Sequence, residues 1–136
     1  MILCSGAFDG LHSGHVAYLK AAADIDLSLP LVAAIAPNLY IRTYKHREAR
    51  WTQSERAETV AAVRYVDRVV EHPELSIANT ILKLRPRYVV KGQDWAGSLP
   101  SDVTAACVKV GAEVVFVDAE RRHGSSVDWR ALGESL

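Results

Sequence analysis

Net charge is missing from this chain: 16 lysines and arginines stand against 16 aspartates and glutamates in 136 residues. A general nucleic-acid binder carries a basic excess that displaces counterions from phosphates, so no nucleic-acid partner is expected. Cysteine is scarce as well. Cys4 and Cys107 sit in apolar segments without CxxC or Cys/His spacing, which argues against a disulfide framework and a thiolate metal site. They read as buried free thiols, as in a reducing, cytoplasmic compartment. No apolar run approaches the roughly 18 residues of a membrane span, and no basic segment precedes an apolar stretch at the N-terminus. Neither a membrane partner nor a signal peptide is therefore expected. Repeats and low-complexity tracts are also lacking.

What is present is 49% hydrophobic and 24% charged, a balance that suits one domain over residues 1–136 with one sizeable core. The neutral sum conceals a local excess. Arg42, Lys45, Arg47 and Arg50 stand close together against Glu48 alone. Concentrated positive charge in a neutral chain suggests a small anionic ligand rather than a polyanion.

Along the chain, short apolar runs alternate with stretches of helical spacing. Residues 1–8, 31–36, 68–71, 88–91 and 113–117 read as strands. A helix is expected from His15, with Val16, Leu19 and Ala23 on one face. A second is capped by Thr52 or Ser54, with Val60, Ala61 and Val63 facing inward. Residues 76–84 form a third, stopped by Pro86, and residues 101–110 a fourth, ended by Gly111. Ser125 or Ser126 opens a short terminal helix. Residues 38–51 show no clean period and read as a loop. This alternation predicts an α/β fold, a five-stranded parallel sheet with helices on both faces. Right-handed crossovers then gather the functional loops at the carboxyl ends of the strands.

The first such loop is Gly6-Ala7-Phe8-Asp9-Gly10-Leu11-His12-Ser13-Gly14-His15. It leads a strand into a helix N-terminus, where unpaired N–H groups and a positive dipole end favour phosphate. Gly14 lets the backbone approach a ligand, and the two imidazoles can donate to phosphate oxygens as charge grows in a transition state. His12 and His15 would need further ligands to hold zinc, and Asp9 is a poor supplement, so no metal site is expected.

These residues resemble the signature of the nucleotidylyltransferase superfamily, with its HxGH motif on a Rossmann-like sheet. Arg56 and Arg64-Tyr65-Val66-Asp67 resemble a helix-to-strand segment of glycerol-3-phosphate cytidylyltransferases. Lys91-Gly92-Gln93-Asp94-Trp95 resembles their GxDW loop. The resemblance implies that His12 and His15 contact the triphosphate and stabilise the transition state. It implies that Lys45 contacts phosphates, with Arg47 as a second candidate. Arg56 and Arg64 would be structural or would touch the acceptor phosphate; the plainer reading is salt bridging with Glu55 and Glu58 along the helix. Gly6, Ala7, Phe8, Asp9, Gly92 and Asp94 would line the nucleotide pocket, and Trp95 would close it or simply pack. The last motif, Arg121-Arg122-His123-Gly124-Ser125-Ser126-Val127, departs from the family's R-x-x-G-I-S-T-T pattern, with Val127 where a hydroxyl is common. Ser125 and Ser126, with Arg121 or Arg122, would still bind a polyphosphate.

The implied reaction moves a nucleoside monophosphate from a triphosphate, with Mg²⁺ on its phosphates, to a phosphorylated small acceptor such as glycerol 3-phosphate. CTP is the donor this resemblance favours. An ATP-dependent enzyme acting on a sugar 1-phosphate is the alternative, because His15-Val16-Ala17-Tyr18-Leu19 and Val90-Lys91-Gly92 resemble the adenylyltransferase domain of ADP-heptose synthesis. A non-catalytic nucleotide-binding module is the alternative of another class, and a tRNA-synthetase-like fragment would lack a tRNA-binding domain. Relatives in this branch are often homodimers, which implies the same here.

Overall fold

The computed structural model describes residues 1–118. Arg121, Arg122, Ser125, Ser126 and the expected terminal helix lie outside the described residues.

Ile2, Leu3 and Cys4 are fully buried, as a strand covered on both faces requires. They begin β1 (Ile2–Gly6), and the chain continues through α1 (Ser13–Ala23), β2 (Leu31–Ile35), α2 (Asn38–Lys45) and α3 (Gln53–Ala61). Next come β3 (Arg68–Glu71), α4 (Ala78–Leu84), β4 (Tyr88–Gly92), α5 (Ser101–Val110) and β5 (Glu113–Val117). A single 3₁₀ turn, Gln93–Trp95, follows β4. The strands lie in the order β3-β2-β1-β4-β5, every neighbour parallel. The expected five-stranded parallel sheet is thus present. From β1 the chain builds outward through β2 and β3, then crosses back to β4. The reversal leaves a crevice beyond the carboxyl ends of β1 and β4, where sheets of this kind bind ligands.

Side chains alternate across the sheet and create two cores. Ile2 and Cys4 pack with Leu19 and Ala22 of α1 and Val60 of α3. Leu3, Val32 and Val89 pack with Ile81 of α4 and Val103, Ala106 and Cys107 of α5. Helices therefore cover both faces. Both cysteines are buried and free. Burial pushes the Cys4 thiol up to about 12, which makes it inert as a nucleophile.

Thr52 is the cap of α3: its hydroxyl accepts the Glu55 N–H at 3.1 Å and the Glu55 carboxylate returns to the Thr52 N–H. One expectation fails. The segment read as a loop contains α2, which buries only Ile41 and sets Tyr40 against Tyr44 one turn later, ring centroids 4.9 Å apart and planes tilted by 51°. A two-turn helix at the sheet's rim needs no apolar stripe, so periodicity does not reveal it. Smaller shifts follow from end effects. α1 starts at Ser13 and α4 at Ala78, and Ala61, the last residue of α3, is exposed instead of inward. Among the described residues no helix is long and apolar enough to cross a membrane.

Candidate active site

The loop from β1 to α1 is fixed by its own side chains. Phe8 holds a left-handed φ of 50°, unusual for a residue with a side chain, and is 3% exposed. Its ring lies against Gly6. A Cβ on Gly6 would stand 2.9 Å from Phe8 Cε2, so the turn needs glycine there. The same ring meets His15 edge-on, with centroids 5.3 Å apart.

His15 in turn stacks on His12, ring centroids 3.8 Å apart and planes 27° from parallel. His12 Nδ1 accepts the Gly14 N–H at 3.1 Å, and His15 Nδ1 accepts the His12 N–H at 3.2 Å. The two imidazoles thus form a reciprocal capping box at the start of α1. Because each Nδ1 accepts a hydrogen bond, the neutral rings carry their proton on Nε2. The outcome is a pair of stacked N–H donors beside a helix N-terminus. Gly14 contributes through its backbone, as the donor that orients His12.

Asp9 faces the segment between α2 and α3. Its side chain is 2% exposed and pairs with the Arg47 guanidinium. It also accepts the N–H groups of Arg50 at 3.0 Å and Trp51 at 3.2 Å. Burial alone would raise its pKa, but the Arg50 N–H, the Arg47 side chain and the Trp51 N–H outweigh burial and hold the carboxyl below its ordinary value. Arg56, 1% exposed, has no salt bridge along its helix. Its guanidinium donates to Ala7 O at 2.7 Å, Ala36 O at 2.8 Å and Asn38 Oδ1 at 2.7 Å, and its Nε to Trp51 O at 3.2 Å. One side chain thereby joins the exits of β1 and β2 to the starts of α2 and α3. Arg56 is structural.

These elements surround a cavity of about 630 Å³. His12, His15, Lys45 and Arg47 all line it, as do Gly6, Ala7, Phe8 and Asp9 at the end of β1. Lys45 is the last residue of α2, exposed and without an ion pair among the described residues. Gly92, Asp94 and Trp95 line the cavity from β4. A Cβ on Gly92 would stand 2.6 Å from Asp94 Oδ1, so glycine here lets the carboxylate fold back over the strand end. Arg64 is not among the lining residues. It is exposed, with its guanidinium 5.6 Å from the Tyr65 ring centroid.

Tyr18, His72 and Lys91 are among the lining residues to which the sequence assigns no role. The buried Tyr18 hydroxyl donates to Val90 O at 3.1 Å and ties α1 to β4 beneath the crevice. His72 is 3% exposed; Gln53 Nε2 holds its carbonyl at 2.8 Å, and burial lowers the pKa of its imidazole. Lys91, next to last in β4, sets its ammonium 2.8 Å from Ser5 Oγ and 5.1 Å from the Trp95 ring centroid. A lysine within an otherwise buried strand was the available signal for the last of these. Among the described residues no three His, Cys, Asp or Glu side chains are grouped to hold a metal ion.

A family model described as cytidylyltransferase-like matches residues 3–130. The bifunctional protein HldE of Campylobacter fetus is 37% identical over 100 residues, which cover 71% of this chain and 21% of that protein. FAD synthase of Pyrococcus abyssi is 36% identical over 95 residues, 68% of this chain and 62% of that one. The chain thus spans less than two thirds of these relatives, and only 21% to 26% of the HldE proteins of Campylobacter fetus and Coxiella burnetii. The crystal structure of a lipopolysaccharide core biosynthesis protein from Thermoplasma volcanium superimposes with a TM-score of 0.70 at 23% identity. That match covers 88% of this chain and 94% of the other, and shows the shared fold.

Proposed function

The chain belongs to the cytidylyltransferase-like family, and from that premise we propose that it transfers a nucleoside monophosphate from a triphosphate to a phosphorylated small acceptor. The observation that carries this reading is the stacked imidazole pair that caps α1 and lines the β1/β4 crevice.

An oxygen of the acceptor's phosphate attacks the α-phosphorus. A new P–O bond forms as the bond to the β-phosphate bridging oxygen breaks, and pyrophosphate leaves with that electron pair. A phosphate monoester has its second pKa at about 6, so it is already nucleophilic near neutrality and needs no general base. What the protein supplies is position and charge. His12 and His15 donate to the phosphate oxygens on which charge grows, Lys45 neutralises the polyphosphate, and the α1 N-terminus adds its dipole. Ser125 and Ser126, with Arg121 or Arg122, extend the polyphosphate site in this reading. Magnesium enters with the triphosphate as part of the substrate.

ATP is the preferred donor. Part of the likeness that favours CTP lies in Arg64-Tyr65-Val66-Asp67. Asp67 Oδ2 accepts the Leu31 N–H at 2.8 Å and Arg64 lies outside the cavity, so that likeness concerns the fold rather than the base. The relatives include FAD synthase, whose product carries adenylate as its nucleotide half. CTP keeps support from the GxDW-like loop, whose Asp94 and Trp95 do line the cavity. The acceptor is a sugar or polyol phosphate.

Pyrophosphate release, measured for all four triphosphates against a panel of sugar and polyol phosphates, tests the reading. Release should be fastest with ATP. Faster release with CTP would reverse the donor preference. No release with any pairing would favour a non-catalytic nucleotide-binding module.

A further inference from the structure

Phosphate handling accounts for the charged groups of the cavity but not for two of its tyrosines. Tyr18 serves the fold, its hydroxyl tied to Val90 O. Tyr40 and Tyr44 also line the cavity, one turn apart on α2, and their rings meet each other at a tilt of 51°. The packing of α2 does not call for aromatic rings there. This helix buries Ile41 alone, and Tyr44 is 58% exposed. A short helix at a sheet's rim normally gives its uncovered positions to polar residues.

The two rings belong to a larger apolar rim. Five large hydrophobic side chains are exposed among the described residues, and Leu39, Tyr44 and Trp51 of them lie within residues 38–51. Trp51 borders the β1–α1 loop, its ring 3.7 Å from where a Cβ on the lining residue Gly10 would stand. Burial, then Tyr44 and Asp94, raises the Tyr40 pKa, which keeps the ring neutral and sets Asp94 within electrostatic reach of it. Exposed aromatic surface gathered beside a polar cavity is matched by a planar, apolar part of the ligand.

Strand order says which part. β2 and β4 flank β1 on opposite sides. Gly92, Asp94 and Trp95 stand at the end of β4, whereas α2 starts directly beyond β2. In the proposed reaction the base of the triphosphate belongs with Gly92 and Asp94, so the β2 side is left to the acceptor. Lys45, the residue after Tyr44, keeps that side next to the phosphates. We propose that Tyr40 and Tyr44 are a stacking platform for a planar ring carried by the acceptor. The acceptor's class is then the phosphate monoester of a sugar or polyol that bears an aromatic heterocycle. This rests on the proposed nucleotidyl transfer.

The test uses two pairs of probes that differ in the ring: flavin mononucleotide against ribitol 5-phosphate, and nicotinamide mononucleotide against ribose 5-phosphate. Each is titrated by calorimetry into the full chain saturated with the non-hydrolysable analogue α,β-methylene-ATP. In at least one pair the ring-bearing probe should bind at least about tenfold more tightly. Tyr44→Ala should weaken that probe at least about fivefold, the low end for an aromatic stacking partner, while binding the ringless probe and the analogue within about twofold of wild type. Tyr44→Phe keeps the ring and should keep the affinity. The assignment is overturned if neither ring-bearing probe binds more tightly than its ringless partner, if Tyr44→Ala binds it as wild type does, or if Tyr44→Phe loses it as well. Equal loss of the analogue by Tyr44→Ala would give the platform to the triphosphate's base and overturn the assignment to the acceptor. A wild type that binds no analogue would instead overturn the proposed nucleotidyl transfer, and the assignment with it.

Discussion

The β1–α1 loop and the segment from α2 to the start of α3 both bring polar groups to one cavity, but they hold them by different means. In the first, backbone geometry and buried contacts leave little freedom: Phe8 props His15, His15 stacks on His12, and both imidazoles cap α1. In the second, the charges ride on long side chains at a short helix's end. Two of these are engaged within the protein, Arg42 with Glu48 and Arg47 with Asp9, whereas Lys45 lines the cavity without an ion pair among the described residues. A local cluster of positive residues thus overstates the charge available to a substrate. The lasting contribution of the second region is to close around the first through Asp9 and Arg56.

If that division is right, breaking the joint between the regions has the largest effect. Arg56→Met leaves four carbonyl-type acceptors, at the exits of β1 and β2 and the starts of α2 and α3, without their donor and should cost about 3–5 kcal/mol in urea unfolding. A loss under about 1 kcal/mol would mean that water replaces the guanidinium. Asp9→Asn should cost less, about 1–3 kcal/mol, since it keeps acceptors for the N–H groups but loses the Arg47 pair.

The pH dependence of Asp9 has a definite sign. Its folded pKa lies below the ordinary 3.8, so the unfolded chain binds more protons and the group's stabilisation is fully present above that value. It declines as pH falls through the window between 3.8 and the lower folded pKa. Wild type should lose stability there more steeply than Asp9→Asn, and equal slopes would contradict the assignment. The smallest structural effect belongs to Lys45. Lys45→Gln should leave the unfolding midpoint unchanged while lowering kcat/KM for pyrophosphate release at least about tenfold. A change in stability without one in activity would reverse the roles given to the two regions.

Much of this was legible in the sequence, for identifiable reasons. All five strands were, because each is short, holds adjacent apolar residues and stands between helical stretches. The imidazole pair was legible because its placement depends on local spacing: the residues that cap α1 also line the cavity. Other features depend on distant partners. Nothing near Arg56 announces Ala7 O and Ala36 O, and its neighbours Glu55 and Glu58 suggested a surface pair that does not form. Lys91 carries meaning only once β4 lies beside β1 and its neighbour is Ser5. α2 was hidden because Ile41 is its one buried residue.

The central claim is that the locked imidazole pair acts on the triphosphate. It is tested most directly by comparing pyrophosphate release by wild type and His15→Ala under the same saturating substrates, alongside their unfolding curves. Turnover should fall by at least roughly 100-fold, the loss expected for one donor to the growing charge, with the fold retained. Turnover equal to wild type in a folded variant would contradict it.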